Sequence, residues 1–433
     1  MLIQRAVLLD GTMTDIRVDE RIVDVGELEP HKGETVLDAA GATVVPGLHD
    51  HHVHLRSAAA ALTSARVGPA EVRGRPDLAR VLAAAAVGND GWIRAVGYHE
   101  VVAGPLDRDV LDDVSPKVPV RVQHRSGVLW TLNSAGLARV GLIDHPDGRL
   151  RSSDRSWSDT LQRNETGLAE VSRRLSQYGV TGVTDATPDF EVSDIVRLME
   201  AHRRGELAQR VHCLAPGKRI LHDVDLDLDD LTAWILERHA ADAPVAVHCV
   251  TDAQLVVTLS ALQAAGVHPQ DRIEHAAVVP LGTIADLKAL GVTVVTQPNF
   301  IAERGDQYLT DVPATEHREL WRLASLRNAG VKVALSTDLP FGDGDPWATM
   351  RAAVHRTTSS GAVLGPDECV SAREALAMFF GKSGDPTQAR AIQPGHPGDL
   401  CVLAAPTREL FDELDSQMVT TTVVAGKVIF ERP

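Results

Sequence analysis

The stretch "VVPGLHDHHVHL", residues 44–55, decides how the rest of the chain is read. An apolar run ends in four histidines and an aspartate. Either it is a polar turn, or it is a strand whose end offers His52 and His54 to a metal ion. One residue separates the two, so on a strand they share a side, with Cα atoms about 6 to 7 Å apart. That spacing lets both imidazoles reach one ion. Neutral imidazoles with a carboxylate suit zinc or a related divalent metal.

Further along, one unit recurs: an amphipathic stretch, a glycine, a valine and a short β-branched run. It occurs at Gly179-Val180, Gly266-Val267, Gly291-Val292 and Gly330-Val331. A glycine supplies the left-handed position that ends a helix, and the run after it predicts a strand. Repeated helix, glycine and strand predict a parallel sheet with helices outside, closed at this length into an α/β, (β/α)8 TIM barrel. The strands are expected to end at His54, Asp185, His248, His275, Gln297 and Asp338. Candidates for two more are residues 209–215, 217–223 and 91–98. Only Pro216 and Gly217 part the first two, so no crossover helix fits between them. Either they form one bent strand and 91–98 joins the barrel, or the barrel is distorted.

Both ends differ from the middle. Residues 1–45 and 388–433 read as short strands and turns, with Gly426 at a hairpin, and are expected to pair into a small β-sandwich domain. Residues 46–387 form the barrel. A large insertion of about residues 55–175 after the first barrel strand, with "PVRVQHRSGVLWTLNSAG" at 119–136, reads as a lid or substrate-binding segment.

The 433 residues carry a formal net charge of −16, which repels nucleic acid and anionic membrane surfaces. A small-molecule substrate is expected, with no nucleic-acid or membrane partner; a homodimer is compatible with the chain. Cys213, Cys249, Cys369 and Cys401 are widely spaced and form neither a disulfide framework nor a cysteine zinc site. The opening "MLIQRAVLLDGTMTD" reaches acidic residues and glycine too soon for a signal-peptide apolar region, and no apolar stretch approaches about 18 residues. A cytoplasmic protein is expected.

Taken singly, the polar strand ends have bland explanations. A strand-end histidine commonly satisfies local backbone groups, and Asp338 could cap the next helix. Jointly, His52, His54, His248, His275 and Asp338 lie at strand carboxyl ends, which in a barrel open on one face. Five ligand types converging there point to a metal site.

"PGLHDHHVHL" resembles the first-strand motif of the amidohydrolase superfamily, and "VAVHCVTD", "RIEHA" and "ALSTDLP" resemble its fifth, sixth and eighth strand signatures. "QPGHPGDLCVL" is similar to its terminal β-domain. "GWIRAVGYHE" and "WTLNSAGL" narrow the resemblance to the amidohydrolase-3 branch that includes N-substituted formamide deformylase. The resemblance implies His52 and His54 on one metal, His248 and His275 on a second or shared one, and Asp338 as a ligand that also handles a proton. Asp338 and His275 are then the catalytic pair. It also implies a carboxylated fourth-strand lysine bridging two metals, for which Lys218 in "PGKRILHD" is the best match. The Asp-Gly stretch usual after that lysine is replaced by "HDVDLDLDDL", so Lys218 reads equally as a solvated loop lysine. One or two divalent ions, zinc foremost, fit this set.

The expected activity is hydrolysis of an amide or formamide C–N bond by metal-activated water, with Asp338 shuttling the proton. Deamination and cyclic-amide hydrolysis need the same site, whereas an inactive scaffold would be expected to lose ligands that are present here. Loops after barrel strands make His124, Arg125, Trp130, Phe300, Arg304 and Trp347 candidate substrate contacts. Packing is the simpler reading of Trp130 and Trp347, and pairing with Glu303 or Asp306 that of Arg304.

Overall fold

The histidine-rich run is a strand, Leu48–Val53, buried along its whole length. In this computed structural model, which describes every residue but 153–154, 159, 162–166, 189 and 433, it pairs in parallel with Val180–Asp185. That strand pairs in parallel with Arg210–Cys213. Five more parallel strands form a second sheet in the order Lys218–Ile220, Ala246–Cys249, Arg272–His275, Thr293–Thr296 and Lys332–Leu335. The sheets approach where Val53 bridges in parallel to Leu339. There the Asp338 N–H donates to the His52 carbonyl at 3.0 Å, and the His54 N–H to the Leu339 carbonyl at 2.7 Å. The last strand thus delivers Asp338 to the end of the first.

The helix–glycine–strand units are present. Ile284–Leu290 ends at Gly291, φ 70°, and Ala324–Ala329 at Gly330, φ 84°, both left-handed caps that a residue with a Cβ adopts only with strain. Gly266 follows Asp252–Ala265 but takes ψ 168°, so it turns the chain without the left-handed cap.

The ambiguity around Pro216 resolves in favour of two strands. Arg210–Cys213 and Lys218–Ile220 lie in different sheets and are not one bent strand. A tight turn joins them, with the Gly217 N–H donating to the Leu214 carbonyl at 2.7 Å. Gly217 lies so close to the backbone that a Cβ would sit 2.6 Å from the Pro244 carbonyl oxygen. Residues 91–98 do not join these strands: Ile93–Tyr98 pairs with Ala65–Arg66 and with Val120–His124.

The two ends of the chain meet in one hydrogen-bonded sheet of eight strands. Thr43–Pro46 runs antiparallel to Leu400–Leu403, and the hairpin Val419–Val424 with Lys427–Glu431 extends that edge. Its core gathers Ile3, Ile16, Val18, Val44, Leu400 and Val402, and the central strands Thr43–Pro46 and Leu400–Leu403 are buried along their whole length.

Backbone contacts divide the chain into two compact units, Met1–His54 with Leu168–Pro433, and Leu55–Gly167. The terminal sheet and the eight parallel strands share the first. The second has its own five-stranded sheet and a core that includes Val67, Leu78, Leu82, Leu111 and Val122. Its boundary falls before the helix Ala169–Gln177, earlier than the expected end near residue 175. Among the described residues no helix is long and apolar enough to cross a membrane.

Candidate metal centre

His52 and His54 close the first parallel strand, one fully buried and the other nearly so. Asp338, three residues past Lys332–Leu335, takes φ 57°, a left-handed conformation that aspartate tolerates better than most residues. Its Oδ1 lies 3.4 Å from His54 Nε2 and 3.7 Å from His52 Nε2. The ligand atoms of all three residues fall within 4.8 Å of one another. Asp338 Oδ1 is buried and no described residue donates to it. A buried carboxylate oxygen without a partner is expensive, and a cation held with two imidazoles removes that deficit. The donor set therefore fits a divalent metal. His275 joins the group with its ring 4.7 Å from that of His52, and His248 stands 4.5 Å from His275.

Burial holds the imidazoles of His52, His248 and His275 neutral, the form that binds metal. His52 and His275 titrate well below the ordinary histidine range, chiefly through burial, with Lys218 and neighbouring histidines adding to it. His248 is pushed down to about 3 by burial and then by Lys218. Lys218 is itself 5% exposed, with Nζ 3.0 Å from His52 Nε2. It is no solvated loop lysine. Burial pulls its ammonium down to about 8, although Glu274 and Asp338 favour the charged form.

Four supporting residues, Glu274, Arg272, Gln297 and Asp50, have no role in the sequence reading. Glu274, fully buried, hydrogen-bonds His52 Nδ1 through Oε2, and Arg272 grips it with Nε at 2.7 Å and Nη2 at 3.1 Å. Gln297 Oε1 accepts from His275 Nδ1 at 2.8 Å, and its Nε2 donates to Ser336 Oγ at 2.8 Å. Because Oε1 is an acceptor, His275 Nδ1 carries the proton and Nε2 the free lone pair. Asp50, in the strand end itself, accepts from the Thr337 hydroxyl and N–H, and burial pushes its carboxyl up to about 7. The signal for Glu274 was in plain sight: a carboxylate between Ile273 and His275 in an otherwise apolar strand.

The six substrate candidates fall into two groups. Phe300 and Trp347 are in the core of the first unit, 3% and 0% exposed, and Trp347 Nε1–H donates to the Tyr178 carbonyl at 2.9 Å. Both pack within that core. Arg304 lies over the Phe300 ring at 4.0 Å and donates to the Phe341 carbonyl. Asp306 instead caps Thr358, Ser359 and Ser360, so the expected Arg304–Asp306 pairing is absent among the described residues. His124, Arg125 and Trp130 belong to the second unit. There His124 Nε2 bonds Glu100 at 3.1 Å, Arg125 N–H donates to the Tyr98 carbonyl at 2.8 Å, and Trp130 packs edge-on against Trp157.

The carboxyl ends of the parallel strands bring His52, His54, His248, His275 and Asp338 together, with Lys218, which opens its own short strand, buried beside them. The amidohydrolase family matches residues 35–430, so the chain belongs to that family and is a hydrolase acting on carbon–nitrogen bonds. It is 25% identical to N-substituted formamide deformylase of Arthrobacter pascens over 98% of this chain and 93% of that one. Among solved structures it is similar to a metal-dependent hydrolase of Pyrococcus horikoshii, with TM-score 0.73, 18% identity and coverage of 94% of this chain and 97% of that one. It is also similar to 5-methylcytosine deaminase of Klebsiella pneumoniae, with TM-score 0.56, 15% identity and coverage of 100% and 98%.

Proposed function

We propose that this protein hydrolyses an amide or formamide C–N bond of a small molecule, at a metal centre carried by a distorted barrel of the eight parallel strands. The observation that carries the reading is the unpartnered, buried Asp338 Oδ1 beside His52 and His54, in a chain the amidohydrolase family matches nearly end to end. His52, His54 and Asp338 would hold one divalent ion, zinc foremost, and His248 and His275 a second or shared one. Such an ion lowers the pKa of water from 15.7 to about 7 and polarises a carbonyl oxygen.

The protein's own groups do the rest. Asp338, the carboxylate nearest the two strand-end imidazoles, takes the proton of the attacking water and passes it to the departing nitrogen. Gln297 fixes the His275 ring, and Glu274 with Arg272 fixes that of His52, so neither ligand must reorganise as charge develops. Lys218 would be carboxylated. Its neutral amine nitrogen bonds to the carbon of CO2, one C=O pair moves onto oxygen, and the amine loses a proton to solvent. The resulting carbamate anion would join the histidines as a ligand. The burial of Lys218, its lowered pKa and its contact with His52 support this.

The test is a panel of formamides, N-acyl amines and cyclic amides assayed with the metal-loaded protein, reading formate, free amine and ammonia separately. Formate or carboxylate release with stoichiometric amine supports the proposal. Ammonia release alone would assign a deaminase to the same site. No turnover of any class with metal bound would contradict the reading.

A further inference from the structure

At the other end of the parallel strands from Asp338 the molecule has a cavity of about 250 Å³, whose walls include His49, Arg210, His212, Lys382, Arg390 and Asp399. On a chain of net charge −16 this is a locally cationic place. Asp399, its acidic wall residue, is already committed: Arg210 binds it through Nε at 2.6 Å and Nη2 at 3.1 Å, and the Ala425 N–H donates to it at 3.0 Å. Arg390 and Lys382 are left over. The Arg390 side chain, 9% exposed, is fixed by donation from Nε and Nη2 to the carbonyls of Phe380, Gly381 and Gly47. No described residue accepts from its Nη1. Lys382 Nζ meets only a neutral partner, Gln388 Oε1, at 2.8 Å.

His49 completes the wall. It is 4% exposed, its Nε2 shares a 2.9 Å hydrogen bond with Thr184 Oγ1, and its Nδ1 faces Gly182, also part of the wall, where a Cβ would come within 2.5 Å. A rigid guanidinium with a free N–H and a second cation at the rim of a small cavity match a planar or tetrahedral oxyanion. We propose that this cavity is a binding site for a small oxyanion of phosphate or carboxylate type, separate from the metal centre. Occupancy would tie the first parallel strand, through His49, to the segment leading into the terminal sheet, through Arg390.

Inorganic phosphate is the probe. It is titrated into the metal-loaded protein at constant ionic strength, balanced with chloride, and followed by calorimetry and thermal melting. Wild type is expected to give saturable binding with a rise in Tm that tracks occupancy. Lys382→Glu, at the half-buried rim, should weaken binding about tenfold or more while leaving metal content and turnover unchanged. Arg390→Lys is the second variant, expected to weaken binding further. Phosphate held by the metals would bind Lys382→Glu and wild type alike, and that result would overturn the proposal. So would a non-saturating rise in Tm shared by all variants, or no binding heat in wild type.

Discussion

Glu274 and His52 stand 222 residues apart in sequence and share a buried hydrogen bond between carboxylate Oε2 and imidazole Nδ1. Arg272 holds the carboxylate from the other side and also donates from Nη2 to the His51 carbonyl at 2.7 Å. The carboxylate accepts, so Nδ1 of His52 carries the proton and Nε2 is left with its lone pair, 3.0 Å from Lys218 Nζ and 3.7 Å from Asp338 Oδ1.

Removing that partner should loosen the metal before it stops the chemistry. Glu274→Ala is expected to lower metal affinity by roughly 10- to 100-fold in a chelator competition titration, and also to lower Tm, because Arg272 loses its buried partner. Glu274→Gln keeps an acceptor for His52 and should recover part of the affinity. Equal affinity in all three proteins would remove the orienting role.

Asp338 is asked to move a proton as well as to bind. Asp338→Asn should lower kcat by about 10²- to 10⁴-fold with a smaller change in KM, in samples whose metal content is measured alongside. Full turnover with metal bound would exclude Asp338 as the proton carrier.

Carboxylation of Lys218 predicts dependence on dissolved CO2. Metal-free protein reconstituted in CO2-depleted buffer should regain little activity, and bicarbonate added with the metal should restore it. Lys218→Met should be indifferent to bicarbonate and bind less metal per chain. A wild type equally active with and without bicarbonate would show that Lys218 acts as a plain amine.

Asp345 supplies a stability test away from the metal. Burial raises its carboxyl to about 6 from an ordinary 3.8, against the opposing Trp347 N–H bond to its Oδ1. Below pH 3.8 the group is protonated in both folded and unfolded chains, and above about 6 it is ionised in both. Between these values the folded chain keeps a proton the unfolded chain has lost, so stability falls as pH rises through the window, and the penalty persists above it. Asp345→Asn keeps the helix cap without the charge. It should be more stable than wild type at pH 8 by on the order of 1–2 kcal/mol, with the gap closing by pH 4. A gap of the same size at both pH values would contradict this account.

Strand periodicity made much of the centre readable. The alternation in "HDHHVH" placed His52 and His54 together, and the apolar runs ending near His248, His275 and Asp338 placed the others at the same kind of position. Lys218 could not be resolved that way, because its strand is only three residues long and follows a turn at Gly217. Whether it faces the site or the solvent depends on pairing with Ala246, a non-local fact. The same holds for Arg272, Glu274 and Gln297, whose meaning lies in which neighbouring strand each one touches. Phe300 and Trp347 show a different limit: sequence shows that an aromatic follows a strand of the site, but only packing shows how enclosed its ring is. The terminal strands were legible as strands, whereas their joining in one sheet rests on pairings such as Leu400 with Pro46.

The most direct measurement is the metal content of protein purified without added metal or chelator, expressed per chain and compared with a His52→Ala/His54→Ala variant that still folds. The account predicts stoichiometric divalent metal in wild type and its loss, together with activity, in the variant. Wild type that holds no metal even after reconstitution with zinc, manganese, iron or nickel would contradict the hydrolytic centre altogether.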